Sequence, residues 1–386
     1  MTLITDTQKL AAFCARIAKS GFVTVDTEFM RERTYWPKLC VVQLAGAEEA
    51  AAVDALAPGI DLTPVFDLMA DTGVLKVFHA GRQDLEIFYH LTNRLPDPVF
   101  DTQIAAMVCG FGDAAGYETL VSKLTRARLD KAARFTDWSV RPLTERQVTY
   151  ALADVTHLRK VYEKLQKKLS QNGRTEWLAE EIGTLTSPET YAPDPYEAYR
   201  RIKTRAAKPR YLAILREVAA WREREALRLD LPRNHVMRDE SLVEIAHHTP
   251  ATPAELARTR AVGRRLAEGP AGAALLEALA RGKAVPESEC PQPIEHPMLP
   301  GGIGPVTDLL KVLLKMKSEE TGAAPRLVAS SDDLELIAAF GEKAEVPALS
   351  GWRRQVFGDD ALKLSRGEIA LAVDGRQLTA IPVADD

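Results

Sequence analysis

FVTVDTEFMRERTYWP (residues 22–37) places two acids, Asp26 and Glu28, inside a run that otherwise has the pattern of a buried strand. Because side chains alternate along a strand, both carboxylates project from the same face. Burying one unpaired carboxylate costs several kcal/mol, and two close together raise each other's pKa. Magnesium or manganese, which prefer oxygen ligands, would neutralise them. The spacing alone is weak evidence, since Asp84–Glu86 and Asp333–Glu335 share it.

Two later stretches supply further polar side chains next to predicted apolar elements. KVFHAGRQDLEIF (76–88) ends a predicted strand at His79 and places Asp84 in the first turns of the next helix. In ERQVTYALADVTHL (145–158), Tyr150 and Asp154 are four residues apart and therefore share one helical face. An exposed pair at the edge of an amphipathic helix would have the same spacing, so this pattern alone leaves both interpretations open.

Composition favours a soluble protein of two or three domains, with 386 residues, 46% hydrophobic and 27% charged. The four cysteines form no CxxC pair, which favours reduced thiols and argues against a zinc site. We expect no signal peptide and no membrane span, hence a cytoplasmic protein. No GxxxxGK[ST] loop is present, so we expect no nucleotide cofactor and exclude a helicase.

The pattern of apolar residues changes along the chain. Up to about residue 170, strand-like runs (21–29, 38–46, 49–56 and 75–80) alternate with helical periods (6–20, 63–72, 81–91, 102–110, 117–124 and 144–169). This alternation predicts a mixed sheet flanked by helices, an α/β domain. Two helical blocks follow, each after a Pro-rich stretch.

Charge is distributed unevenly. Residues 196–283 contain 18 Lys and Arg against 11 Asp and Glu, whereas the whole chain has a net charge of −4. Ten of those basic residues lie between Arg200 and Arg228, with three Glu. A basic segment in an acidic chain indicates contact with a polyanion, although a solvated helical face would carry the same charges.

The order Asp26-x-Glu28, Asp84, Tyr150-xxx-Asp154 resembles that of the DEDD exonuclease superfamily, in its tyrosine-bearing subgroup. DTEFMRERTYWPKLCVVQLA (26–45) and LDKAARFTDWSVRPLTERQVTYALADV (129–155) are similar to the corresponding segments of ribonuclease D. The block beginning RYLAILREVAAWREREALRLDLPRNH (210–235) resembles an HRDC domain, a small helical module that binds nucleic acid.

This resemblance implies a ribonuclease H-like α/β exonuclease domain, with a mixed sheet flanked by helices, followed by two all-α HRDC-type domains. The expected boundaries are 1–170 for the exonuclease domain, 171–207 for a linker, 208–285 for the HRDC domain, 286–305 for a Pro-rich linker and 306–380 for a second, divergent HRDC-like domain.

The resemblance also implies roles for individual residues. Asp26, Glu28, Asp84 and Asp154 would hold two divalent metal ions, Mg²⁺ or Mn²⁺, about 4 Å apart, with Asp26 bridging them. Tyr150 would orient the attacking water. Weaker candidates for substrate contact are Phe29, Met30, His79, Lys131 and Arg141, each of which has core packing or surface charge as an alternative explanation.

The implied activity is 3′–5′ exoribonuclease hydrolysis that releases nucleoside 5′-monophosphates, in the 3′ maturation of tRNA precursors and other structured RNAs. The implied partner is RNA with a single-stranded 3′ end. No membrane partner is expected, and the chain is expected to be a monomer. Two alternatives remain at this point: a 3′–5′ DNA exonuclease of the same superfamily, or an inactive RNA-binding protein.

Overall fold

The computed structural model describes residues 2–130, 136–192, 194–204, 208–260, 262–293 and 297–383. Its first part is built on a six-stranded mixed sheet with the strand order β1-β4-β3-β2-β5-β6. The strands are β1 (Leu3–Ile4), β2 (Phe22–Met30), β3 (Lys38–Ala45), β4 (Ala50–Asp54), β5 (Leu75–Phe78) and β6 (Val99–Asp101). The four longer strands follow the sequence prediction, whereas the short edge strands β1 and β6 were not predicted.

Strand β2 is central and extends beyond one of its neighbours. It pairs with β3 in antiparallel fashion along most of its length. Its parallel pairing with β5, in contrast, involves only Phe22, Val23 and Thr24. Asp26 and Glu28 therefore lie past the end of β5, where the sheet leaves room beside the strand for other side chains.

Helices cover both faces of this sheet, and the ends of the first six agree with the sequence prediction to within a few residues. They are α1 (Thr7–Ile17), α2 (Thr63–Ala70), α3 (Arg82–Thr92), α4 (Thr102–Val108), α5 (Tyr117–Thr125), α6 (Glu145–Asn172) and α7 (Thr175–Leu185). Val23 and Val25 pack with Phe13 and Phe88 in one hydrophobic cluster. Helix α6 packs on the opposite face, where Ala151 contacts the cluster that contains Val41.

Helix α7 lies in a segment that the sequence analysis assigned to a linker, 171–207. Its Leu178 is buried with the helices behind the sheet, and its Trp177 stacks on Trp352 with the ring centroids 4.4 Å apart. Glu180 of α7 pairs with Arg353 at 2.6 Å. Helix α7 therefore packs against both the first part of the molecule and the last.

The middle helical block has a hydrophobic core of its own. It comprises α8 (Pro209–Leu229), α9 (Arg233–Val236), α10 (Asp239–His248), α11 (Pro253–Leu256), α12 (Arg264–Ala267) and α13 (Pro270–Ala284), preceded by a 3-10 segment, Pro195–Arg201. Leu215, Val218, Leu242 and Leu279 form the centre of the core. At Gly282, a Cβ atom would come within 2.6 Å of the Ile214 backbone, so glycine lets α13 approach α8 closely.

The last block is helical until its end. It contains α14 (Gly304–Thr321), α15 (Pro325–Val328), α16 (Ser331–Phe340), α17 (Gly351–Arg353), a π-helical turn (Arg354–Gly358), α18 (Asp359–Ser365) and a hairpin of β7 (Ile369–Asp374) and β8 (Gln377–Pro382). The hairpin differs from the all-helical expectation for 306–380. Short apolar runs on both sides of a turn at Gly375, whose φ is +61°, favour it. Within the described residues, no helix is long and apolar enough to cross a membrane.

Candidate active site

Three of the predicted carboxylates converge at the end of the central strand. Oxygen atoms of Asp26 and Glu28, from β2, and of Asp154, from α6, all lie within 4.8 Å of one another. Asp84, from the first turn of α3, is buried beside them; its charge raises the pKa of Glu28, and the charge of Asp26 raises the pKa of Asp84. Three elements that are far apart in sequence therefore supply one acidic cluster.

Helix α6 is fixed at both its start and its middle. Thr144 and Gln147 form a capping box that sets the first turn. The Thr24 hydroxyl, on the site face of β2, donates a 2.8 Å hydrogen bond to the Val155 carbonyl, and the Tyr117 hydroxyl donates to the Asp154 carbonyl at 2.5 Å. These bonds hold the backbone on which Tyr150 and Asp154 sit.

A tight turn positions Asp84 at the start of α3. The Asp101 carboxylate accepts hydrogen bonds from the backbone N–H groups of Ala80 and Gly81, at 3.2 and 2.8 Å. A Cβ atom at Gly81 would lie 2.6 Å from the Phe78 Cβ, so the turn requires glycine there. The Thr27 hydroxyl then donates to the Asp84 carboxylate at 2.5 Å. This bond links α3 directly to the strand that carries Asp26.

The electrostatics of the cluster favour cations. Burial raises the pKa of Asp26, and the Asp154 charge raises it further. Burial, followed by the charge of Asp26, raises the pKa of Glu28 from 4.5 to about 9. Within the described part of the chain, no Lys or Arg pairs with Asp26, Glu28 or Asp84. These three largely buried carboxylates, without a basic partner among the described residues, fit hard divalent cations.

Tyr150 contacts Asp154 as the four-residue spacing predicts. Burial raises the pKa of the Tyr150 phenol first, and the charge of Asp154 and a hydrogen bond to it add to the shift. The phenol therefore keeps its proton at neutral pH and acts as a hydrogen-bond donor, not as a base.

A cavity of about 300 Å³ opens over the cluster. Asp26, Tyr150 and Asp154 line it together with His79 and Tyr117. The His79 ring nitrogen Nδ1 lies 3.0 Å from the Thr102 hydroxyl, and its ring centroid is 5.4 Å from that of Tyr117. Tyr117 was not among the sequence candidates, because nothing in its local pattern distinguishes it from other tyrosines at helix starts.

The remaining candidates for substrate contact have varied positions. Phe29 and Met30 are partly buried against two different hydrophobic clusters. Arg141 is tied to the fold, because its guanidinium pairs with Asp54 at 2.7 Å and also donates to backbone carbonyls. That engagement disfavours the predicted phosphate contact of Arg141. Lys131 lies outside the described residues.

The raised carboxyl pKa values predict how stability depends on pH when no metal is bound. The folded state favours protonated Glu28. The stability that Glu28 contributes to the folded state is therefore fully present below pH 4.5 and is lost as pH rises towards about 9. We expect the melting temperature of metal-free protein to fall across this window, and Glu28→Gln to reduce that fall. Excess Mn²⁺ should also reduce it, because metal binding displaces the protons. If the melting temperatures of metal-free wild type and Glu28→Gln fell equally with rising pH, Glu28 would not be the group responsible.

The comparisons with known proteins agree with this geometry. A family model described as 3′-5′ exonuclease matches residues 1–170, and an HRDC domain model matches residues 212–279. Ribonuclease D of Granulibacter bethesdensis is 52% identical over 381 residues, covering 98% of this chain and 96% of that protein. Ribonuclease D of Nitrobacter hamburgensis is 51% identical and covers 97% of each.

A solved structure gives the same result in three dimensions. The crystal structure of Escherichia coli RNase D, described as an exoribonuclease involved in structured RNA processing, has a TM-score of 0.80 at 31% identity and covers 95% of this chain and 98% of that one. The catalytic core of RRP6 from Trypanosoma brucei, at 22% identity and a TM-score of 0.55, shares the fold. The expected fold class is confirmed, and the chain belongs to the ribonuclease D family, the 3′–5′ exoribonucleases of the DEDD superfamily.

Proposed function

We propose that the protein trims the 3′ ends of tRNA precursors and other structured RNAs, releasing nucleoside 5′-monophosphates at an acidic site that binds two divalent ions, Mg²⁺ or Mn²⁺. The observation that carries this proposal is the convergence of Asp26, Glu28 and Asp154 within 4.8 Å, beside buried Asp84. Family membership supports the reaction class.

Each residue of the cluster has a distinct proposed role. Asp26, whose carboxylate faces both Glu28 and Asp154, would bridge the two ions. Glu28, Asp84 and Asp154 would complete the ligand set. When bound, the ions would lower the pKa of the attacking water and stabilise the charge on the leaving oxygen. Tyr150 would hold that water in line with the scissile phosphorus through its hydroxyl group.

The size of the cavity favours cleavage at a chain end. At about 300 Å³ it is at the lower end of the range for small-molecule sites. It therefore suits one terminal nucleotide with its phosphate, and a double helix would be too wide. This supports the proposal that the RNA needs a single-stranded 3′ end, for which Phe29, Met30 and His79 offer packing surfaces.

The helical blocks have proposed roles in binding. We assign an HRDC domain to 208–285, whose basic surplus would contact the RNA backbone, and a divergent second copy to 306–380. The latter contains 10 basic and 12 acidic residues between 305 and 383, so it would narrow the entrance and not attract RNA by charge. The proposal further takes the protein to act as a monomer in the cytoplasm.

The decisive experiment follows a 5′-labelled, 3′-extended tRNA precursor on a denaturing gel with Mg²⁺ or Mn²⁺ present. We expect a ladder that shortens by one nucleotide at a time and stops near the mature end. A circular RNA of the same sequence is the control and should stay intact. Internal fragments from the circle, or faster cleavage of a DNA oligonucleotide of matched sequence, would contradict the proposal.

A further inference from the structure

A second cavity lies between the exonuclease part and the middle helical block. Its volume is about 380 Å³. Its walls come from the loop that follows β2, from the 3-10 segment Pro195–Arg201 and from the residues around α8 and α9. Arg31, on the rim, is three residues beyond Glu28, so the rim lies at most about 11 Å along the chain from the carboxylate cluster.

A hydrogen-bonded contact between the two parts forms one wall of this cavity. The Tyr35 hydroxyl donates to the Glu223 carboxylate at 2.9 Å, and the Arg233 guanidinium donates to the Tyr35 oxygen at 2.9 Å. The Tyr35 backbone N–H also donates to Asp230, at 3.1 Å. Glu223 is only 4% exposed. The buried Glu223 carboxylate is hydrogen-bonded by Tyr35 of one part and by Arg233 of the other. This bonding fixes the wall of the cavity in the folded protein.

The charges that line the cavity leave a positive surplus. Four arginines line it, against the two carboxylates of Glu223 and Asp239. Arg233 pairs with Glu223 at 2.6 Å, and Arg222 pairs with Asp239 at 2.5 Å. Arg31 pairs at 2.7 Å with Glu86, which does not line the cavity. With these three ion pairs formed, the positive surplus of the cavity is the charge of Arg201.

One of the arginines has hydrogen-bond donors to spare. The guanidinium of Arg201 is exposed and has no partner among the described residues. Arg222 is different, because it is 4% exposed and its unpartnered Nε is buried out of reach of a ligand in the cavity. The planar guanidinium fork matches the oxygens of a phosphate group. The vacant donors of Arg201 and the charge surplus point to the same kind of ligand.

We propose that this cavity binds a backbone phosphate of the RNA, upstream of the nucleotide being removed, with Arg201 as its principal contact. The inference rests on the proposed function, since the RNA must have its 3′ end at the carboxylate cluster. The contact would make affinity depend on RNA length, because only an RNA long enough to reach from Glu28 past Arg31 gains it. The ligand chemistry is that of a phosphate group, whether part of the RNA strand or free inorganic phosphate.

The test compares Arg201→Gln with Arg200→Gln. Arg200 is the matched control because it is the preceding residue of the same segment, is exposed, pairs with Glu197 and does not line the cavity. For a single-stranded dodecaribonucleotide, we expect Arg201→Gln to raise KM about 5- to 10-fold with kcat unchanged, as loss of one charged phosphate contact predicts. The slope of log K against log salt should become shallower by about 1. A dinucleotide substrate should be cleaved normally, and Arg200→Gln should change neither substrate.

Equal effects of the two variants would overturn the proposal, because they would indicate general electrostatic attraction of RNA by surface charge and not a specific phosphate site. A loss on the dinucleotide would also overturn it, by placing Arg201 at the reaction centre or in the fold. Inorganic phosphate that inhibits dodecamer cleavage in wild type but not in Arg201→Gln would support a phosphate site. If that occurred without any dependence on RNA length, the ligand would be the free anion, and the RNA contact would be refuted.

Binding of a labelled dodecamer in EDTA, followed by fluorescence anisotropy, separates this inference from the proposed function. It requires no cleavage. A several-fold weaker affinity for Arg201→Gln alone would sustain the phosphate site even if the products of the reaction proved different. Equal affinities of all three proteins would refute it even if the enzyme trims tRNA as proposed.

Discussion

Asp26→Asn is expected to lower kcat by about 10³-fold or more, because the substitution removes a full charge from the position proposed to bridge both ions. The side chain keeps its size, so the strand and its pairing with β3 should be unchanged. Single-turnover cleavage of one oligoribonucleotide at saturating Mn²⁺ measures the loss. Chelation of the metal from wild-type protein by EDTA should reproduce it.

The matched control is Asp67→Asn, which makes the same change at an exposed position of α2. It should retain wild-type activity. Without metal, Asp26→Asn should melt at a higher temperature than wild type at pH 8, because burial and the Asp154 charge disfavour ionised Asp26. A variant that kept a tenth of wild-type turnover would show that Asp26 does not bridge the ions.

Tyr150→Phe is expected to lower kcat about 10²-fold while leaving metal and RNA affinity nearly unchanged. Positioning a reacting group is worth roughly 10²–10⁴-fold, and one oriented hydrogen bond belongs at the low end of that range. The ring, whose centroid is 6.1 Å from that of Trp138, would keep its packing. Only the hydroxyl next to the proposed water is lost.

Asp154→Ala provides the comparison, since this residue is one helical turn away and is assigned to the metal. Its activity should require more Mn²⁺, and excess Mn²⁺ should restore part of it. For Tyr150→Phe, raising the metal concentration should restore nothing. A manganese titration of the single-turnover rate distinguishes the two variants. If Tyr150→Phe shifted the metal midpoint as far as Asp154→Ala, the proposed division of roles would be wrong.

The middle helical block contacts the exonuclease part of the molecule directly. Charge in the sequence indicated only an RNA-binding module. The structure shows that Glu223 and Arg233 of this block hold Tyr35, in the loop that follows the strand carrying Asp26 and Glu28. The middle block therefore packs against the loop that follows β2, as well as being a source of positive charge.

Local sequence determined most of the elements and the candidate ligands. Alternation in FVTVDTEF (22–29) specifies β2 and places Asp26 and Glu28 on one face, because side-chain period depends only on the local backbone. The i, i+4 spacing of Tyr150 and Asp154 specifies their contact on α6 for the same reason. These relations span a few residues, and a few residues are enough to predict them.

Tertiary structure alone decided which distant groups meet. The end of β5 leaves space beside Asp26 and Glu28, and the Tyr117 hydroxyl holds the backbone at Asp154. Arg201 and the loop after β2 line the same cavity. All three relations depend on packing between elements that are far apart in the chain. The same holds for Arg141, whose charge in the sequence suggested RNA but whose partner is Asp54. A charged side chain takes the partner that the fold brings within reach, and neither composition nor spacing records which one that is.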